Sequence, residues 1–122
     1  MATKANTQAV LNFFKAWEAR DLDGIANAVT EDCRYTNIGF PEITGRAAIR
    51  EAVKGFVAGA KEVRWIVHNI AETDNGVVLA ERTDEFDMGA NKISAAVTGV
   101  FELRDGKISA WRDYFDTRAM GG

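Results

Sequence analysis

Apolar residues recur at helical spacing in the first part of the chain and at alternate positions through its second half. Val10, Phe13, Phe14 and Trp17 predict one amphipathic helix, with Thr7 placed to cap its start. Leu22, Ile25 and Val29 share a face of a shorter second helix, over 22–29, that Asp21 or Asp23 starts. Arg34 to Ile38 predicts a short strand, ended by Gly39 and Pro41. A third helix follows, capped by Thr44 and stopped by Gly59, with Ile49, Ala52, Val53 and Phe56 as its apolar stripe. Four strands remain, over 63–71, 77–87, 92–103 and 107–115. The breaks between them are Asp74-Asn75-Gly76, Met88-Gly89-Ala90 and Arg104-Asp105-Gly106, and Asn-Gly and Asp-Gly are hairpin signals. Segregated helices and an antiparallel meander make an α+β domain, whose curved sheet and covering helices can frame a pocket.

Strand alternation puts polar residues where apolar ones belong. Along 77–87, Glu81, Thr83, Glu85 and Asp87 share the solvated face, so Arg82 and Asp84 point inward between Ala80 and Phe86. In the last strand Ser109, Trp111, Asp113 and Phe115 share a face, and Asp113 lies between two large aromatics. Tyr35 and Asn37 share a face of the first strand. The inward polar set is therefore Tyr35, Asn37, Arg82, Asp84 and Asp113. Buried charges need partners, and the donor fork of Arg82 can bridge two carboxylates. Two neighbouring acids do not both ionise cheaply, so one can serve as acid and the other as base. An Arg-x-Asp alone is more often an ion pair that fixes strand register. The second acid, the Tyr and the Asn are what point to a site.

Composition narrows the chemistry. The chain has 122 residues, 47% hydrophobic and 27% charged, with eleven glycines and one proline; it reads as a single domain, 1–122, with an ordinary core. Fifteen basic residues stand against eighteen acidic ones, with no basic cluster, which argues against nucleic acid. Cys33 is the only cysteine and His68 the only histidine, so disulfide frameworks and multi-Cys or multi-His metal sites are excluded. Cys33 reads as a structural thiol and His68 as a packed or partly exposed side chain, while Arg46, Arg50 and Lys54 read as a solvated helix face. No apolar run approaches a membrane span, and the Met1–Ala5 stretch leads into the amphipathic pattern without a signal-peptide core. A cytoplasmic setting is expected.

At these residues the sequence resembles the limonene epoxide hydrolase family, part of the cone-shaped α+β superfamily that also holds nuclear transport factor 2, ketosteroid isomerase and polyketide cyclases. The matching pieces are Tyr35-Thr-Asn37, Gly45-Arg46, Glu81-Arg82-Thr-Asp84, Gly99-Val100-Phe101, Gly106-Lys107-Ile108 and Trp111-Arg112-Asp113-Tyr114-Phe115-Asp116, in the family's order across most of the chain. The resemblance implies three N-terminal helices on a curved, mixed and mostly antiparallel sheet that encloses a pocket. It implies that Asp113, with Tyr35 and Asn37, is the water-binding base, that Asp84 is the acid protonating an epoxide oxygen, and that Arg82 bridges them. It implies no cofactor, no metal and a homodimer. The family's pocket helices are largely aliphatic. Here Phe14, Trp17, Phe56, Phe86, Val97 and Phe115 are the expected substrate-binding walls, so the expected substrate is a small apolar epoxide. An isomerase or cyclase of the same fold, or a binding module with an inert pocket, are the competing readings.

Overall fold

A computed structural model describes residues 4–120; the first residues of the N-terminal stretch read above for a signal core lie outside the described residues. Helix α1 (Ala5–Glu18) buries Val10, Phe13, Phe14 and Trp17. Thr7 lies inside this helix rather than at its cap. Its backbone N–H and hydroxyl both donate to Glu72 Oε1, at 3.0 and 2.8 Å. A carboxylate from a distant strand thus takes up an amide of the first turn, where the helix dipole favours negative charge.

Helix α2 (Leu22–Asn27) is capped by Asp21, whose side chain accepts from the Gly24 N–H at 2.9 Å. The helix stops before Val29, which opens strand β1 (Val29–Asn37) instead. Sheet pairing with Ile108 takes the fully buried Val29 from the helix, and the strand starts five residues before the expected Arg34. Strand β2 (Ile43–Thr44) pairs with β1 and was hidden from pattern reading by its two-residue length. Thr44 therefore belongs to a strand, and the N-cap of α3 (Arg46–Gly59) is Gly45 at φ 98°, where a side chain would be strained. Gly59 is the last helical residue and Ala60 ends the helix.

Strands β3 (Glu62–Glu72), β4 (Val78–Asp87), β5 (Lys92–Arg104) and β6 (Lys107–Phe115) form the expected meander. Asp105 and Gly106, at φ 53° and 79°, make the two-residue turn between β5 and β6. The six-stranded sheet runs β2-β1-β6-β5-β4-β3 and is antiparallel except for the β1–β6 pair. Helix α1 packs on β3 and β4, and α3 packs on β1, β2 and α2. Phe13, Phe101, Trp111 and Ile108 fill the space between helices and sheet.

Three register shifts interrupt the ladder: in β1 between Val29 and Arg34, in β3 around His68 and in β6 around Ser109. Ser109 therefore leaves the inward row expected for it and donates to the Glu102 carbonyl at 3.1 Å. Arg46 is also not simply solvated, since its guanidinium donates twice to the Val29 carbonyl, at 3.1 and 2.6 Å, and ties α3 to β1. Among the described residues no helix is long and apolar enough to cross a membrane.

Candidate active site

The alternation of β4 holds: Val78, Ala80, Arg82, Asp84 and Phe86 are buried while the residues between them are more exposed. The Arg82 side chain is wholly buried and lies between two acids from different strands. Its Nε and Nη2 donate to Asp84 Oδ1 and Oδ2, at 2.7 and 3.1 Å. The same Nη2 donates to Asp113 Oδ2 at 2.8 Å. The guanidinium is further held by the rings of Trp65 and Phe14, whose centroids lie 4.4 and 5.2 Å from Cζ.

Asn37 is opposite Asp113 and Tyr35 opposite Trp111 in the parallel β1–β6 ladder. Parallel pairing puts equivalent faces side by side, which brings the Tyr-x-Asn pair to the edge of the acid cluster. Asn37 Nδ2 donates to the Tyr35 hydroxyl at 2.8 Å, and the Tyr35 ring stacks on Trp111 at 3.7 Å between centroids. Arg82 Nη1 and Asp113 Oδ1 are buried without a hydrogen-bond partner among the described residues.

Burial pushes the Asp84 carboxyl up to about 6; the Arg82 charge and hydrogen bonds pull it back down, and Asp113 adds to the rise. Burial also raises the Tyr35 hydroxyl, helped by the Asp113 charge, so Tyr35 stays protonated across the usual pH range. Burial alone would lower Arg82, but the charges of Asp113 and Asp84 outweigh it and keep the guanidinium ionised. The cluster thus holds a fixed cation between a carboxyl that favours its proton and a second acid.

A cavity of about 170 Å³ opens beside the cluster. Asp84, Asp113, Tyr35 and Asn37 supply its polar wall. The apolar wall comes from Trp17 of α1, Ile43 of β2, Ala52, Val53 and Phe56 of α3, and Trp65, Phe86, Ala95, Val97 and Phe115 of the sheet. Five of the six expected wall residues are there. Phe14 is the exception: the cavity meets α1 only at its last turn, and Phe14, one turn earlier, packs on Arg82, Trp65 and Phe101. Trp65 was missed by the sequence reading, although its place opposite Asp84 in the β3–β4 ladder puts it on the inner face. It stacks on Trp17 at 4.6 Å and covers Arg82.

The remaining candidates stay outside this cluster. His68 Nε2 is 2.8 Å from Thr83 Oγ1 on the exposed face. Cys33 is buried in the core, and burial pushes its thiol up to about 12. Among the described residues no group of three or more His, Cys, Asp or Glu side chains is arranged to hold a metal ion.

Epoxide hydrolase EphG of Mycobacterium tuberculosis (strain ATCC 25618 / H37Rv) is 38% identical over 115 residues, 92% of this chain and 74% of that protein. The solved structure of an M. tuberculosis LEH-like epoxide hydrolase superposes with a TM-score of 0.84 at 33% identity, covering 96% of this chain and 86% of the other. A putative SnoaL-like polyketide cyclase from Shewanella denitrificans OS-217 shares the fold, with a TM-score of 0.85 at 13% identity over 98% and 96% of the two chains. The sequence model for the limonene-1,2-epoxide hydrolase catalytic domain matches residues 4–121, and the chain belongs to that family.

Proposed function

We propose that the protein is a cofactor-free epoxide hydrolase that opens a small apolar epoxide to a vicinal diol in one general acid–base step. The observation that carries this reading is the Arg82-bridged pair of acids on the wall of an apolar cavity, with Asp113 Oδ1 left without a partner. Asp113 takes a proton from water while the water oxygen attacks an epoxide carbon. The carbon–oxygen bond breaks, and Asp84 delivers its proton to the departing oxygen. The proton gained by Asp113 then returns to Asp84, directly or through solvent, and the pair is reset. Tyr35 and Asn37 orient the water: Asn37 donates to the Tyr35 hydroxyl, which leaves the hydroxyl proton to donate to the water oxygen and the Asn37 amide oxygen to accept the water's second proton, so that one lone pair stays free for attack.

Trp17, Phe56, Phe86, Val97 and Phe115 set which epoxides fit, as the apolar walls of small-molecule pockets do. An isomerase with a carbon base does not require an Arg-bridged pair of acids. The reading extends to a homodimer, which light scattering in solution tests. The chemistry is tested with a panel of small epoxides, watching for diols. A single turnover in ¹⁸O-labelled water, with enzyme in excess, then separates the mechanisms. Direct attack labels the first diol; an unlabelled first diol with label in an Asp carboxylate shows an ester intermediate instead.

A further inference from the structure

Arg82 and Asp113 stand two strands apart, on β4 and β6, with β5 between them. Neighbouring strands are about 4.8 Å apart, so the contact is made over the top of β5. The β5 residue directly opposite Asp113 is Gly99, which is also opposite Ala80 on β4. Gly99 is not among the glycines at positive φ, so its backbone would accept any residue. The space above it is what a side chain would lose. A Cβ at Gly99 would lie 2.6 Å from Arg82 Nη1, 2.8 Å from Asp113 Oδ1 and 2.9 Å from a ring carbon of Phe101. The first two are the cluster atoms without hydrogen-bond partners. A glycine inside a strand weakens the strand, and close approach of another group is one reason to find one.

We propose that Gly99 is a positioning residue for the acid pair: the missing side chain is what lets the Arg82 guanidinium cross β5 and reach Asp113 while it holds Asp84. Its catalytic meaning rests on the epoxide-opening reading above, whereas its effect on the cluster can be read without substrate. A methyl group at this position drives the guanidinium back from both carboxylates. Arg82 then no longer holds the Asp84 carboxyl down, and the two acids lose their common alignment.

The test is Gly99→Ala, with Gly55→Ala on the open face of α3 as a control, since a Cβ at Gly55 meets nothing within 4 Å. The expected result is kcat lower by about 10²-fold with KM little changed, because small misplacements at a reacting centre cost that much. The Asp84 carboxyl titration, followed by carbon-13 NMR, moves upward, and the pH profile of kcat moves with it. The control keeps wild-type values of all four. Wild-type kcat in Gly99→Ala, or a lowered kcat with an unmoved Asp84 titration, overturns the proposal. If wild type opens no epoxide, the functional reading fails, and the Asp84 titration in the two proteins still decides the role of Gly99. If Gly99→Ala does not fold, the substitution is made in an Arg82→Lys background, where Nη1 is gone. Recovery of a folded protein there supports the contact with Arg82; failure to fold there, with Arg82→Lys alone folded, places the obstruction at Asp113 or Phe101 and overturns the proposal that Gly99 makes room for Arg82.

Discussion

Asp84 and Asp113 differ in what their oxygens touch. Both Asp84 oxygens accept from Arg82, whereas Asp113 gives Arg82 only Oδ2. The unpartnered Oδ1 suits Asp113 to receive a proton from water, and the raised Asp84 suits it to give one. Asp113→Asn and Asp84→Asn are each expected to lower diol formation by about 10²–10⁴-fold while the protein stays folded. In the proposed single step the two groups act together, so the double variant should be little slower than the slower single one. Steady-state rates of the three variants beside their circular dichroism check this; a double variant slower by the full product would argue for independent roles. In its proposed role as acid Asp84 must hold a proton, so kcat/KM is expected to fall as pH rises through about 6, and a rate profile from pH 4 to 9 reads that limb. Trimming Trp17 or Phe86 to a smaller apolar residue should favour bulkier epoxides, measured as relative rates over a size series.

Elements place these residues, and their caps and edges can be tested separately. Removing the α2 cap with Asp21→Ala is expected to cost about 1 kcal/mol of stability in urea unfolding, with diol formation per folded protein unchanged. The meander was legible because its strands are long and separated by glycine turns, and because β4 alternates cleanly. Arg82, Asp84 and Asp113 were legible for the same reason, as charges on an apolar face. The start of β1 was not legible, because Glu31 and Asp32 break the apolar signal and only pairing with β6 makes Val29 a strand residue. The place of Ser109 was missed because a bulge moves the period of two by one residue. Phe14 shows the limit of helical spacing: it marks the buried face but not where along that face a cavity begins.

At the scale of the whole molecule, the buried cluster links stability to pH. The folded-state value for Asp84, about 6, lies above its ordinary 3.8, so the folded protein holds this proton more tightly than the unfolded chain. The resulting stabilisation is complete below about 3.8 and is lost as pH rises through about 6, a difference on the order of 3 kcal/mol. Urea unfolding at steps from pH 4 to 8 should show that fall, and Asp84→Asn should remove it. Arg82→Met leaves two acids without their cation, and a loss of about 3–5 kcal/mol at neutral pH is expected in the same experiment.

The parallel β1–β6 pair joins the first strand of the chain to the last. Contacts so far apart in sequence close late in folding, after the local hairpins have formed. On the ribosome, residues 35 and 37 are made early and wait for residue 113, with β2, α3, β3, β4 and β5 synthesised in between. A growing chain can therefore bury Arg82 against Asp84 before Asp113 exists. In the proposed mechanism chemical competence therefore arrives together with β6, so fragments released by premature termination before β6 would carry no proposed base and no complete acid pair.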